Sequence, residues 1–491
     1  MTQTPDNPAL GLPETSGLSG SVRRQATLAL MIATAMQAFD LTIVNVALPQ
    51  LQASFGGGIE LGSWVMTSYL CAAAVTAPLA GWLRRRYGAR QLFSGAIAFF
   101  VLTSLLCALA PSATSIILFR LLQGAAAGII QPLAQATLLD IHPKSDHGRM
   151  LAIWGATIMT GPVLGPTLGG FITDVASWRW IFGINLPLGA AAIIGLRWLP
   201  PSLEEKRESH IDGIGILLMV LGVGALQLTL ERSIGQSSLL SPEFAVEAVV
   251  VVLALFLITI RSLRGRFALF RFEVFKNLNF STSAFYTFTI GALVTTVIVL
   301  LPALGEGPLG FDATLAGLTV SPRGALTLLT MLAVSRVIDR IDLRILLAIG
   351  LVLTAASFEL MARVPIAHEA VWLGAVSALQ GFGVGLLFTP LSTLAFATVP
   401  DRLRTDGTGV YNLLRQLGGA AGVALMAAVL QLRLQTHLAA RGDPGPPLSN
   451  AASFSAYADC FRIMAAATIA VAPGVFLFRV VRQDAPLRKA G

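Results

Sequence analysis

Residues 26–49 read ATLALMIATAMQAFDLTIVNVALP, and Asp40 is the single charged side chain in this run. A helix needs about 20 mostly apolar residues to cross about 30 Å of hydrocarbon. The run is therefore long enough to span a bilayer. An acid inside such a span is energetically costly and marks a functional site by default. The stretch indicates a membrane protein whose first span carries a functional group.

Comparable apolar blocks recur along the whole chain. The fourteen predicted spans are residues 26–49, 63–83, 91–110, 114–139, 150–172, 179–199, 213–231, 244–261, 280–302, 313–334, 344–362, 369–396, 407–432 and 459–481. Hydrophobic residues make up 55% of the 491 positions and charged residues 12%, about half the charged share of a soluble domain. This composition excludes a soluble enzyme, a disordered chain and a secreted disulfide scaffold, so we predict an all-α polytopic membrane protein.

The basic residues set the predicted orientation. With the N-terminus inside, 25 of the 34 Lys and Arg residues fall in the tails and inner loops, six fall outside and three lie within spans. We therefore predict that both termini are cytoplasmic. The pI near 9.9 then reflects loops beside anionic lipid headgroups, and no nucleic-acid partner is expected.

An internal repeat predicts two similar bundles. Gln123-Gly124 and Gln380-Gly381 are 257 positions apart, and the basic loops at 85–90 and 339–344 are 254 apart. An offset of eight spans keeps both copies in one direction, with a substrate site expected between them. The predicted organisation is a cytoplasmic tail (1–24), a six-helix bundle (25–200), an inserted two-helix hairpin (201–262), a second six-helix bundle (263–482) and a tail (483–491).

Asp40 and Arg120 are the predicted proton-coupling residues. Counted from the span boundaries, both lie in the outer half of the membrane at similar depth, so they could pair directly or through water or a glutamine. Burial raises the pKa of a carboxylate and a nearby guanidinium lowers it, so small movements of Arg120 would switch protonation. The alternative is a static buried pair that fixes helix register.

The fifth span carries a glycine and proline ridge. Gly161, Gly165 and Gly169 recur every four residues, beside Gly170, and leave one helix face bare for close packing. Pro162 and Pro166 each remove a backbone donor and favour a kink. We predict a bendable seam between the two halves; ordinary small-residue packing is the alternative.

Polar side chains on four other spans are the candidate substrate ligands. They are Gln37, Asn45, Gln123, Gln131, Gln380, Asn412 and Arg415. The amides either hydrogen-bond substrate or bridge helices. The sequence contains no P-loop, zinc-protease or nucleophile-elbow motif, so we predict neither an enzyme nor a metal site.

Taken together, these motifs resemble the major facilitator superfamily, and more closely the fourteen-span drug:proton antiporters of the EmrB/QacA type. The first-span signature matches 40–49, the fourth-span arginine matches Arg120 in Arg-Leu-Leu-Gln-Gly, and the antiporter signature of the fifth span matches 161–170. Residues 178–187 and 411–419 are similar to that subfamily's sixth and thirteenth spans. The resemblance covers about 26–481.

The resemblance implies a major facilitator fold and export of amphipathic compounds across a bacterial inner or plasma membrane. It implies the proton gradient as energy source, no cofactor, and a periplasmic adaptor with an outer-membrane channel as further partners. Its inner-loop gate maps onto Arg85, Arg90, Asp339, Arg340 and Arg344. Arg85 stands where the superfamily usually has Asp, which puts the N-terminal charge relay in doubt.

Two other functions are compatible with the residues. One is a dedicated exporter of a single metabolite, lipid or fatty acid. The other is a membrane sensor or scaffold that moves no substrate.

Overall fold

The computed structural model describes residues 19–56, 59–199, 212–235, 242–263, 271–338, 340–365, 368–441 and 450–479. The α-helices within these ranges are α1 Gly20–Phe55, α2 Ile59–Thr76, α3 Ala80–Tyr87, α4 Ala89–Ala108, α5 Ala113–Ile141, α6 His147–Val175, α7 Trp180–Gly183, α8 Asn185–Gly195, α9 Gly213–Gly235, α10 Pro242–Leu263, α11 Leu278–Glu306, α12 Ala313–Val337, α13 Leu343–Met361, α14 Glu369–Ala397, α15 Arg404–Arg441 and α16 Asn450–Val471. Of the predicted tails at 1–24 and 483–491, residues 1–18 and 483–491 lie outside the described residues, as does Asp339, whereas residues 20–24 form the start of α1.

The long helices follow the predicted spans in order along the chain. Eleven segments of the described chain are long and apolar enough to cross a membrane, or twelve when the bent helix α6 is counted as one span. The helices α2 and α3 form one span across a 3-10 turn at Ala77–Leu79, and α7 and α8 form another. The apolar parts of α9 and α10 that the structure describes are shorter, so a count of fourteen stays a prediction.

Helix ends follow local capping chemistry. Ser112 and Ser115 form a reciprocal capping box that begins α5, and the Asp312 side chain accepts a hydrogen bond from the Leu315 amide to begin α12. At the end of α1, Gly56 adopts φ 64°, the left-handed conformation that glycine tolerates without strain. These caps set the length of the spans that carry the polar residues.

Two bundles pack side by side. In the first, α1 packs on α5, α6 and α8, while α5 also packs on α2 and α4; in the second, α11 packs on α15 while α14 packs on α12 and α13. The bundles meet where α6 contacts α12 and α14, and where α15 contacts α3 and α5. The hairpin of α9 and α10 lies against both bundles, because Leu218 of α9 shares a buried core with Ala74 of α2 and Leu413 of α15.

The helix crossings repeat from one bundle to the other. A Cβ at Gly124 would collide with the backbone of Tyr69, and a Cβ at Gly381 would collide with the backbone of Arg323. The same relation links α6 to α1 and α15 to α11: Gly161 lies on the backbone of Ala38, as Gly418 lies on that of Phe288. The glycine partners are 257 positions apart in both cases, the offset that the Gln-Gly pairs predicted.

Candidate functional site

Asp40 is buried midway along α1, directly beside Arg120 of α5. The Arg120 Nη1 atom donates to Asp40 Oδ2 at 2.7 Å, and neither side chain has exposed surface. The two charges therefore neutralise each other in an environment without solvent. Of the pairings considered from the sequence, the structure has the direct one.

Two amides complete the coordination of the carboxylate. Gln123 Nε2 donates to Asp40 Oδ1 at 2.9 Å, and Asn185 Nδ2, at the start of α8, donates to the same oxygen at 2.8 Å. Gln123 Oε1 in turn accepts from Arg120 at 2.8 Å. A carboxylate that accepts three hydrogen bonds is well compensated for its burial. This network ties α1 to α5 and α8.

Aromatic rings cover the guanidinium. The Arg120 guanidinium carbon lies 4.1 Å from the centroid of the Tyr69 ring and 5.9 Å from that of Phe182. Such rings attract a cation through their electron-rich faces while excluding water. The pair is thus closed by α2 on one side and α7 on the other.

Sequence motifs did not identify Asn185 as part of this site. Asn185 falls inside the sixth-span motif at 178–187, but an asparagine in an apolar helix reads equally well as a helix-bridging amide. Its Nδ2 atom also donates to Ser104 Oγ of α4 at 2.8 Å. Only the fold shows that one amide bridges Asp40 and α4.

The glycine ridge of α6 lies against α1. The hydroxyl of Thr42 donates to the Gly161 carbonyl at 3.0 Å, and a Cβ at Gly165 would collide with the same threonine. Gly169 faces Ile43, whereas a Cβ at Gly170 would meet no atom within 4 Å. The predicted placement between the two halves is therefore wrong: this ridge packs inside the first bundle.

The other face of α6 contacts the second bundle. Gly155 approaches Met331 and Val163 approaches Gly324, both on α12. The helix also bends by 41° between Gly165 and Thr167. Pro162, on the preceding turn, is exposed. The helix α6 thus joins the residues around Asp40 to the interface between bundles, with a bend on the way; the Pro166 side chain lies outside the described atoms.

A cavity opens where α6 meets α12, α14 and α15. Two of the predicted ligands, Asn412 and Arg415, line it. Asn412 also donates to Gln135 of α5 at 3.3 Å, so its amide bridges the bundles as well as facing the cavity.

The remaining predicted ligands lie elsewhere. Gln123 belongs to the Asp40 network, Gln37 and Gln131 are buried on α1 and α5, and Asn45 is exposed. Gln380 is fully buried on α14, and neither polar atom of its amide has a hydrogen-bond partner in the described structure. Their roles in binding stay predictions.

A group of ion pairs, here termed the inner charge cluster, joins the bundles at the predicted cytoplasmic end. Its members are Arg84, Arg85, Asp140, Arg404 and Asp406. Arg85 of α3 binds the carboxylate of Asp406 on α15 at 2.6 Å. Asp140 of α5 binds Arg84 at 2.6 Å and Arg404 of α15 at 3.2 Å. Two of these three pairs cross from the first bundle to the second.

The inner charge cluster contains one of the predicted gate residues. Arg85 is that residue, and Gly81 makes room for its partner, since a Cβ there would collide with the Asp406 carboxylate. Arg90 is half-buried and Arg340 is exposed. The backbone N–H of Arg344 donates to the Asp342 side chain at 2.9 Å. Sequence motifs alone missed Arg84, Asp140, Arg404 and Asp406.

Comparisons with known proteins identify the family and the fold. Residues 30–423 match the Major Facilitator Superfamily. The chain is 35% identical over 417 residues to the Multidrug export protein EmrB of Haemophilus influenzae, covering 84% of this chain and 81% of that protein. It is 32% identical over 415 residues to EmrB of Escherichia coli strain K12, with the same coverage. It is 32% identical over 426 residues to the Fatty acid resistance protein FarB of Neisseria gonorrhoeae, covering 86% and 83%.

Solved structures share the fold. The human organic anion transporter MFSD10 matches with a TM-score of 0.64 at 15% identity, over 93% of this chain and 99% of that chain. The proton:xylose symporter XylE matches with a TM-score of 0.60 at 14% identity, over 91% and 95%. The predicted all-α major facilitator fold is confirmed. By its sequence match, its relatives and its architecture, the chain belongs to the Major Facilitator Superfamily, in the EmrB-type branch.

Proposed function

We propose that this protein exports amphipathic compounds across the membrane by alternating access, driven by the proton gradient. Relatives named multidrug export proteins support export of varied compounds. The observation that carries the proton coupling is the Asp40 carboxylate, which has no exposed side-chain surface and binds one guanidinium and two amides.

The network gives protonation a mechanical consequence. In its ionised form Asp40 accepts hydrogen bonds from α5 and α8, which hold α1 in place. A proton added to the carboxylate removes its negative charge and weakens all three of these charge-assisted bonds. Proton uptake from outside accompanies substrate release, and proton loss toward the cytoplasm restores the bonds.

The inner charge cluster supports alternating access. Its pairs Arg85–Asp406 and Arg404–Asp140 connect the two bundles directly. When the inner side of the protein opens, these pairs separate, and when it closes they form again. Their formation therefore favours the conformation that is closed to the cytoplasm.

The same proposal includes the location of the protein, its cofactor requirement and its partners. The protein lies in the bacterial inner or plasma membrane with both termini in the cytoplasm, and it acts on small molecules and protons as a transporter, not as an enzyme. It uses no cofactor; in the described chain no three His, Cys, Asp or Glu side chains group as metal ligands. A periplasmic adaptor and an outer-membrane channel complete the export path.

A second candidate is dedicated export of a fatty acid, because one relative is named a fatty acid resistance protein. A panel of cationic, neutral and anionic amphiphiles separates the two functions. Export of a single class contradicts the broad function, and export of several classes contradicts the dedicated one.

Asp40→Asn tests the coupling directly. The purified protein is reconstituted in liposomes that contain a pH-sensitive dye, and a fluorescent amphiphile is added with a pH gradient. We expect the unaltered protein to accumulate the amphiphile and to move protons in the opposite direction. Asp40→Asn keeps the shape of the side chain but binds no proton, so uphill accumulation is lost while downhill exchange continues.

Asp312→Asn is the matched control. Asp312 is an exposed helix cap, and asparagine caps helices as well as aspartate does. This variant keeps full uphill transport. If Asp40→Asn exports the amphiphile uphill at the rate of the unaltered protein, Asp40 is not the proton-coupling residue. A protein that moves neither protons nor amphiphiles is a sensor or scaffold.

A further inference from the structure

The second bundle has no acid at the position equivalent to Asp40. The matching glycine crossings place Ala38 of α1 and Phe288 of α11 at equivalent positions, 250 residues apart (288 minus 38). Two residues further along each helix, Asp40 is therefore equivalent to Ile290, which is buried and apolar. The carboxylate at the centre of the first bundle thus has no counterpart at this position of the second.

The second bundle nevertheless has a buried arginine. Arg323 of α12 is equivalent to Tyr69 of α2, because the glycine of a Gln-Gly pair lies on the backbone of each. In the first bundle this position holds the aromatic ring that covers Arg120. Arg323 is 6% exposed, so its side chain brings a positive charge into the interior of the second bundle.

Little compensates the charge of Arg323. Its Nη2 atom donates to the Val294 carbonyl of α11 at 3.0 Å, whereas its Nη1 atom has no hydrogen-bond partner in the described structure. Among the described residues, no carboxylate forms an ion pair with it. A charge inside a membrane protein is costly unless a counter-charge compensates it. The second bundle therefore lacks what Asp40 supplies in the first.

Gln380 of α14 is a second polar residue without partners. Its side chain has no exposed surface, and neither Oε1 nor Nε2 forms a hydrogen bond in the part of the chain that the structure describes. Such unsatisfied buried atoms are rare in native proteins, and an ordered water or ion is one explanation for them. An amide with both polar atoms unsatisfied therefore indicates a bound species beside it.

The side chains of Gln380 and Arg323 lie near the same part of α11. Val376, one turn before Gln380, packs in a core that includes residues of α11, and Leu387, two turns after it, shares a core with Val294. The Arg323 guanidinium donates to the carbonyl of that same valine. The two side chains are therefore neighbours where α11, α12 and α14 meet.

We propose that this junction binds one chloride ion, held by Arg323 Nη1 and Gln380 Nε2. Both atoms are donors, and a water molecule would satisfy them without neutralising the guanidinium. An anion supplies the acceptor and the counter-charge together. In the first bundle the carboxylate of Asp40 accepts hydrogen bonds from Arg120 and Gln123 in the same manner. In the second bundle a free ion has the role of that carboxylate.

The chloride ion is a structural counter-ion in this inference, not a cargo. It goes beyond the proposed export function and does not depend on it. The two bundles thus share a buried guanidinium beside a glutamine, and they differ in the source of the negative charge.

Thermal unfolding tests the site. The protein is purified in detergent with gluconate as the only anion, and chloride is then titrated in at constant ionic strength. A ligand that binds the folded protein alone raises the Tm as its concentration increases. We expect the Tm of the unaltered protein to rise with chloride and to reach a plateau, and bromide to have the same effect.

Variants of Arg323 assign the response to its charge. Arg323→Gln should raise the half-saturating chloride concentration about tenfold or more, because it removes the charged donor. Arg336→Gln is the matched control, since Arg336 is an exposed residue of the same helix and its replacement removes the same charge. This control should keep the full chloride response. Size-exclusion profiles and circular dichroism check that each variant is folded.

Gln380→Glu supplies the counter-charge from the chain itself. The ionised glutamate would pair with Arg323, so the Tm in gluconate should match that of the unaltered protein in saturating chloride. Added chloride should then have no further effect. Gln380→Leu is the control of similar size, because it removes the donor without adding a charge. It should lose most of the chloride response and gain no stability in gluconate.

Bromide locates the ion directly. Crystals grown with bromide should show an anomalous scattering peak between Arg323 and Gln380. Three results overturn the inference: the same Tm for the unaltered protein in chloride and gluconate, an unchanged chloride response in folded Arg323→Gln, or no bromide peak at this junction. None of them concerns the proposed export function, which fails when no amphiphile moves protons in the liposome assay.

Discussion

At the scale of single residues, variants of the Asp40–Arg120 pair should affect stability and transport differently. Breaking a buried pair leaves one charge uncompensated and costs about 3–5 kcal/mol. Arg120→Gln should therefore lower the Tm strongly. Asp40→Asn combined with Arg120→Gln removes both charges, so the Tm should return toward that of the unaltered protein while uphill transport stays absent. Thermal unfolding and the liposome assay measure the two effects on the same preparations.

The single and double variants distinguish two roles for the pair. A pair that only fixes helix register predicts that transport recovers together with the Tm in the double variant. Recovery of both quantities would contradict the proton-coupling role of Asp40. Recovery of the Tm alone is the expected result.

The residue pattern predicted the centre of the site but not its surroundings. Asp40 and Arg120 are recognisable because a charge in an apolar span is rare and because span boundaries give its depth. Asn185 and Gln123 donate to the same carboxylate oxygen from positions 145 and 83 residues away from Asp40. An uncharged amide has no comparable signal, since it bridges helices in many membrane proteins.

At the scale of helices, the crossing of α1 and α6 depends on the absence of side chains. In Gly161→Ala the added Cβ would collide with the Ala38 backbone, which should cost about 1–3 kcal/mol. In Gly170→Ala the Cβ meets no atom within 4 Å, so the higher helix propensity of alanine should stabilise the protein by up to about 1 kcal/mol.

The two glycine variants should thus change stability in opposite directions. Thermal unfolding of both proteins in the same detergent measures the difference, and transport by Gly161→Ala reports whether the crossing must also move. A Tm for Gly161→Ala at or above that of Gly170→Ala would contradict the packing of α6 on α1.

Apolar block length predicted most helices but not their ends. The last predicted span begins at 459, whereas α16 begins at Asn450. Phe454 and Tyr457 therefore lie in the first turns of the helix. These turns pack on the core of the second bundle, where Phe454 and Tyr457 contact its buried side chains. Tertiary packing extends the helix past the hydrophobic block, and hydropathy alone does not register such packing.

At the scale of the whole molecule, the inner charge cluster connects the bundles through an arginine of the first bundle and an aspartate of the second. Arg85 occupies the position where the superfamily usually has an acid, and its partner Asp406 is on α15. Arg85→Asp restores the usual residue but places two carboxylates together, so the inner side should open more readily. Arg85→Asp combined with Asp406→Arg should close it again.

Thiol labelling measures this opening. Ser392→Cys places a thiol in the cavity lining, in a background without the three native cysteines. A membrane-impermeant maleimide added from the cytoplasmic side should react faster in Arg85→Asp than in the parent and slow again in the double variant. Arg402→Asp is the control, because Arg402 forms an exposed pair with Glu273 worth about 0–1 kcal/mol. Equal labelling in all variants would contradict a gating role.

The sequence could not predict this connection between the bundles. Asp406 lies in the first turn of α15, where an acid is explained by the helix dipole alone. Its partner Arg85 is 321 positions away, and nothing in the local pattern around either residue identifies the other. The fold brings them together, because α3 and the end of α5 meet the start of α15 between the two bundles.

A single carboxylate at the coupling site has an electrical consequence. Under the proposed coupling, Asp40 would carry one proton, so one turnover would admit one positive charge. When the cargo is a monoanion, its departure moves negative charge outward, and the two movements add to two elementary charges in the same direction. A membrane voltage contributes about 2.3 kcal/mol per charge per 100 mV, so turnover with an anion draws about twice the electrical work available to a neutral cargo.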